Sequence, residues 1–255
     1  MNVEVVRARH LQLAGTRNLR DIGGYPTLDG RRTRWRTVFR SGCLDQLTPA
    51  SQGEVLALGV RTIVDLREHD ELTERPNVFA TSRHVAYRWL PFWNEPLPEG
   101  RLPDLSGGYV RELDLRGERL VAICRALLEP AGLPALIHCA AGKDRTGVVV
   151  GLLLAVARVP PEVIIEDYAM SATCLGPAYV DEGRQWLASR GWSWEQYGHN
   201  WSSPPERMTR TLAHLQQRWG SADVYLQDHG LGRPELDALR AQLTEAAGGA
   251  AAPAP

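Results

Sequence analysis

The sequence has almost no lysine. Of its 29 basic residues one is a lysine, Lys143, and the rest are arginines. A GC-rich coding bias explains the arginines but not the exception. A compact ammonium and a planar guanidinium are not interchangeable, so the place of Lys143 matters. Cysteine is scarce too: Cys43, Cys124, Cys139 and Cys174 in 255 residues. None is spaced as C-x-x-C or alternates with histidine, which excludes the common zinc patterns, and the density excludes a disulfide scaffold. The longest apolar run, 147–157, falls short of the ~20 residues a bilayer-spanning helix needs, so no stable membrane insertion is expected. A formal net charge of −1 gives no reason to expect a nucleic-acid partner. Residues 1–10 hold no apolar stretch, so the default expectation is a cytoplasmic protein. Leaderless export leaves no mark to read.

What is present reads as globular. Hydrophobic residues make up 44% and charged residues 23%, and the length allows a substantial core. No internal repeat or linker is visible. Residues 1–247 are expected to form one domain, and the Ala/Pro tail 248–255 to be disordered.

Turn signals at Gly23-Gly24 and Asp29-Gly30 punctuate the start of the chain. Beyond them Arg32, Arg34, Arg36 and Arg40 share one strand parity, and Trp35 and Phe39 the other. This predicts a strand with a basic outer face, either simply solvated or attracting anions. Thr48-Pro49 predicts a helix start, with threonine as cap and proline in the first turn. Buried strands are expected at 60–66 and 85–90, a helix at 109–128, and a central strand at 133–138. Prolines and glycines make 91–108 a loop long enough for a lid. An apolar helix follows over 146–159, stopped by Pro160-Pro161, and further helices break near Gly191, Pro204-Pro205 and Gly232. Five of the eight tryptophans lie late in the chain, as core packing or as an aromatic surface.

The informative segment is His138-Cys139-Ala140-Ala141-Gly142-Lys143-Asp144-Arg145-Thr146-Gly147. It joins the central strand to the apolar helix, with five residues between cysteine and arginine. Such a turn can curl its backbone N–H groups into a nest, and the helix start adds its own unpaired donors. A phosphate dianion fits there. Arg145 can grip two of its oxygens, Gly142 lets the backbone approach, and Thr146 offers a hydroxyl. Cys139 then sits beneath the phosphorus. Helix N-termini and arginines favour thiolates, the nucleophilic form of cysteine. In-line attack would give a thiophosphate that water hydrolyses, with neither metal nor organic cofactor. A nucleotide-binding Walker loop does not fit, because its outer glycine and its Ser/Thr would fall on Ile137 and Asp144.

The stretch resembles the signature loop of the cysteine-based protein tyrosine phosphatases. More narrowly, it resembles the atypical bacterial members, which include secreted phosphatases of lipids and proteins. The resemblance extends to Asn18–Tyr25, Phe39–Gly42, Val64–Arg67 with Glu71, Asp167-Tyr168 and 221–230, so it spans about 15–245. It implies an α/β fold of the protein-tyrosine-phosphatase type: a central, mostly parallel sheet flanked by helices on both faces. It implies a phosphorylated protein as substrate, through phosphotyrosine and in some relatives phosphoserine or phosphothreonine, or alternatively a phosphoinositide. Cys139 would be the nucleophile and Arg145 the phosphate clamp. Ala140, Ala141, Gly142, Lys143 and Thr146 would line the anion site, with Thr146 serving the departing thiolate.

The general acid stays open. The loop 91–108 offers Glu95, Glu99 and Asp104 but no W-P-D. Asp144 lies inside the signature loop, as in lipid phosphatases with Asp-Arg-Thr there, and ranks first. Asp65 ends a strand expected on the same sheet edge and ranks second. Lys143 is expected either to meet a second substrate phosphate or to face solvent, and His138 to orient the loop. Two other classes compete: a phosphate-binding pseudoenzyme, which needs no nucleophile, and a sulfurtransferase, which needs no Arg-Thr at the helix start.

Overall fold

The computed structural model describes residues 9–93 and 108–247. Most of the expected 91–108 loop, with its candidate acids Glu95, Glu99 and Asp104, lies outside the described residues, as does the tail 248–255. Five strands form the main sheet: β1 (Arg20–Asp21), β3 (Val38–Ser41), β4 (Thr62–Asp65), β5 (Ala86–Trp89) and β6 (Ala135–His138), in the order β1-β3-β6-β4-β5. All neighbours run parallel except β1, which is antiparallel to β3. β6 is central, with Ile137 opposite Arg40 on one side and Val64 on the other. β2 (Arg31–Thr33) lies outside this sheet and pairs with β7 (Thr244–Ala246).

Alternate residues of each strand enter different cores. Val38, Val64 and Ile137 face the larger one; Phe39, Ile63 and Leu136 face the smaller. Each is essentially fully buried, contributing about 1.5–3 kcal/mol of apolar burial. The smaller core is covered in part by α1 (Pro49–Ala57), which starts where the sequence predicts: the Thr48 hydroxyl accepts the Ser51 N–H, with Pro49 in the first turn. The short α2 (His69–Glu74) opens on a capping box between Glu68 and Glu71.

The expected helix 109–128 is two helices, α3 (Val110–Leu115) and α4 (Gly117–Leu128), broken at Arg116. A methyl on Gly117 would strike the His229 ring. Next come α5 (Asp144–Val156), α6 (Pro161–Ala169) and α7 (Ser171–Ala188), the last kinked at Gly176 and Pro177. Then α8 (Trp194–Tyr197) runs into a 3₁₀ turn (Gly198–Trp201), followed by α9 (Pro205–Trp219), α10 (Ala222–Asp228) and α11 (Arg233–Leu243). α5 is buried almost all round, as its unbroken apolar sequence requires. Helices therefore flank both faces of a mostly parallel sheet.

The basic outer strand is not there. Residues 34–37 turn between β2 and β3, with Arg36 at φ 52°, so the period of two does not run through. Arg40 is fully buried, Arg32 pairs with Glu245 on β7, and only Arg34 and Arg36 are exposed. No described helix is long and apolar enough to cross a membrane.

Candidate active site

β6 ends at His138 and α5 begins at Asp144, so the signature loop lies at the carboxyl edge of the sheet's central strand. Its carbonyls are drawn outward. Ala140 O accepts the Cys43 N–H at 2.9 Å. Asn18 Nδ2 donates to Ala141 O and Gly142 O, both at 2.9 Å. Arg40 Nη2 donates to Gly142 O at 2.8 Å. A peptide whose carbonyl points out carries its N–H on the opposite side, the arrangement an anion nest requires. Gly142 has φ 66°, and a methyl there would stand 2.3 Å from the Ser41 carbonyl, so no other residue fits.

A buried charge network braces these donors. Asp167 of α6 accepts Arg40 Nη1 at 2.5 Å, Arg20 Nε at 3.2 Å and the Tyr25 hydroxyl at 3.0 Å. Burial opposes its charge, but Arg20 and Arg40 hold its carboxyl down at about 2. Asn18 adopts φ 61°, a conformation asparagine tolerates better than most residues.

Cys139 is buried at the base of the loop. Arg145 is gripped from behind: Glu71 Oε1 and Oε2 accept Nη2 and Nη1 at 2.7 and 2.5 Å, and the Trp93 ring lies 4.3 Å from the guanidinium carbon. Burial disfavours the Glu71 charge, yet the Arg145 contact holds its carboxyl below the usual range. Thr146 is fully buried, and its hydroxyl has no partner among the described residues. Ala140 and Ala141 line a cleft of about 740 Å³ together with Arg17, Cys43, Arg75, Tyr179, Trp186 and Trp201.

The two acid candidates separate. Asp65 is fully buried and its carboxylate is saturated: Arg67 Nε and Nη2, Asn77 Nδ2, the Tyr87 hydroxyl and His138 Nε2 all lie within 3.2 Å. Burial opposes its charge, but His138 and Arg67 push its carboxyl far below the usual range. Its carboxylate is thus taken up by buried donors, which leaves Asp144 the better placed of the two. Asp65 orients His138, whose Nδ1 lies 3.3 Å from Cys139 O. Asp144 keeps 19% of its side chain exposed. The Tyr109 hydroxyl, itself bonded to Tyr168, donates to Asp144 Oδ1, with Lys143 Nζ at 3.1 Å and Arg207 at 4.0 Å.

Lys143 departs from both expectations. It is fully buried, and its ammonium donates to Asn200 O and Ser202 O at 2.8 Å each. It neither faces solvent nor is free for a substrate phosphate. Burial lowers its pKa, with Asp144 acting against the shift.

Sequence reasoning gave Asn18, Glu71 and Asp167 no role of their own, although each lies in a stretch carrying the resemblance. It missed Trp93, Tyr109 and Arg207. Cys43, Cys124 and Cys174 are buried free thiols, and burial pushes the first two up to about 12.

The profile of the tyrosine phosphatase family matches residues 11–245. The chain belongs to this family and is a protein-tyrosine phosphatase. A tyrosine-protein phosphatase of Nostoc commune is 30% identical over 217 residues, 81% of this chain and 74% of its own length. The triple specificity protein phosphatase PtpB of Mycobacterium tuberculosis is 25% identical, covering 91% of this chain and 98% of that one. The crystal structure of P. aeruginosa TpbA aligns at 14% identity with a TM-score of 0.42, over 81% of this chain and 95% of that one.

Proposed function

We propose that the chain hydrolyses phosphotyrosine, with phosphoserine and phosphothreonine as further substrates, through a thiophosphate on Cys139. The Cys139 thiolate attacks phosphorus and the bond to the ester oxygen breaks. Asp144 gives its proton to that oxygen, and Lys143 and Arg207 stand where the new carboxylate forms. Water then attacks phosphorus, Asp144 takes back a proton, and the sulfur–phosphorus bond breaks to free inorganic phosphate. The Thr146 hydroxyl serves the departing thiolate. Arg145 and the loop N–H groups hold the equatorial oxygens, whose charge grows in the transition state. The observation that carries this reading is the outward turn of the Ala140, Ala141 and Gly142 carbonyls around Cys139.

A phosphoinositide substrate is the second reading. The M. tuberculosis relative is named a triple specificity phosphatase, and Arg75 is among the residues lining the cleft that Ala140 and Ala141 also line. The test is phosphate release in EDTA from a phosphotyrosine peptide and from phosphatidylinositol monophosphate, with Cys139→Ser as the blank. Faster peptide turnover supports the first reading and faster lipid turnover the second. Turnover that survives in C139S removes both.

A further inference from the structure

Lys143 reaches away from the anion site to the turn that carries Trp201. Its two carbonyl partners, Asn200 O and Ser202 O, flank that residue. Arg207 of α9 fastens the same turn from the other side, with Nη1 3.0 Å from Ser202 O and Nη2 2.6 Å from His199 O. An ammonium has three donors, and here they meet two carbonyls and the Asp144 carboxylate at 3.1 Å. A planar guanidinium cannot turn its fork in these three directions. That accounts for a lysine in a chain that otherwise uses arginine.

The tethered turn builds one wall of the cleft. The Trp201 indole seats on Gly183, inside α7, where a methyl would stand 2.3 Å from ring atoms. Glycine inside a helix is unfavourable by itself, so its presence there fits the indole it receives. The Trp201 and Trp186 rings lie 5.6 Å apart, and both line the cleft with Ala140 and Ala141 as neighbours. The contacts run from the phosphate loop, through one ammonium, to an aromatic wall.

We propose that Lys143 is a positioning residue that fixes Trp201 as this wall, so that the cleft selects aryl over alkyl phosphate esters. The inference rests on the phosphatase reading above and names the substrate class. Ring contacts of this kind favour an aryl group about two- to tenfold. The readout is the ratio of KM for a phosphoserine peptide to KM for the phosphotyrosine peptide of the same sequence, alongside inhibition by inorganic phosphate.

Lys143→Met, Gly183→Ala and Trp201→Leu should each lower that ratio by up to about tenfold while phosphate inhibition stays unchanged. Lys143→Arg should fail to restore it. G183A and W201L leave the ammonium in place, so the test survives if K143M does not fold. The proposal is overturned if K143M weakens phosphate inhibition and both peptides alike, which would make Lys143 part of the anion site. It is equally overturned if G183A and W201L keep the aryl preference. Loss of the phosphatase reading itself would show separately, as turnover remaining in C139S.

Discussion

Glu71 Oε1 stands 2.7 Å from Arg145 Nη2, and its second oxygen takes Nη1 of the same guanidinium. The second oxygen also accepts the Glu68 N–H at 2.8 Å, so the start of α2 sets the position of Arg145. Glu71→Gln keeps the shape but loses the charge and one acceptor. Displacing a catalytic group by about 1 Å can reduce rate by roughly 10²-fold. E71Q should lower kcat/KM on that scale with its thermal midpoint little changed; steady-state kinetics and a melting curve decide it.

Asp144 and Asp65 should respond in opposite ways to the same substitution. If Asp144 is the proton donor proposed above, D144N should lower kcat by about 10²–10⁴-fold for a poor leaving group such as an alkyl alcohol. With p-nitrophenol as leaving group the loss should be small, and the basic limb of the pH profile should flatten. D65N leaves Arg67 buried without its counter-charge and should destabilise the fold by about 3–5 kcal/mol. Denaturant unfolding beside a leaving-group series separates the two. A leaving-group dependence in D65N would return that residue to the chemistry.

Asn18 works by donating, and the choice of replacement tests this. Asn18→Ala leaves two loop carbonyls short of a donor, a loss of about 1–3 kcal/mol in the folded loop. Asn18→Asp keeps the shape and faces those carbonyls with a second set of acceptors. Inorganic phosphate should bind more weakly to N18D than to N18A, and more weakly to either than to the native protein. Competitive inhibition measures the order, and equal affinity in all three would refute it.

Asp21 sets a pH dependence of stability. It is buried, and burial is the largest cause raising its carboxyl to about 6, against the backbone N–H groups of Arg36 and Gly23. A carboxyl raised in the folded state favours folding when protonated. Its contribution is therefore fully present below the unfolded value of about 4 and is lost as pH rises through about 6. Asp21→Asn cannot titrate. The stability difference between the native protein and D21N should shift by roughly 2–3 kcal/mol between pH 7 and pH 4, with the native protein gaining on acidification. Urea titrations at the two pH values measure it.

The strand, loop and helix around Cys139 were legible because an apolar run, a five-residue spacing and a second apolar run each carry their own local reason. The helix start at Thr48-Pro49 and the helix stop ahead of Pro160-Pro161 were legible for the same reason. Failures came where a distant partner decides. Arg40 reads as a surface residue until Asp167, 127 positions on, neutralises it in the core. Asn18 sits in a quoted motif, but nothing local says that it reaches carbonyls more than 120 positions away. Lys143 was conspicuous by composition, yet its direction depends on a turn some 57 residues later. β7 was invisible, because three residues carry no period.

β7 also bears on when the molecule can work. Arg31 pairs with Ala246, and Thr33 with Thr244. Thr33 in turn bonds Tyr25 through backbone and hydroxyl, and Tyr25 meets Asp167, which holds Arg40 against the phosphate loop. On the ribosome, the N-terminal hairpin emerges long before the strand that closes it. The brace behind the catalytic loop is complete only when residues 244–246 have left the exit tunnel and zipped onto β2. A chain cut before residue 244 therefore lacks the last fastening behind this loop.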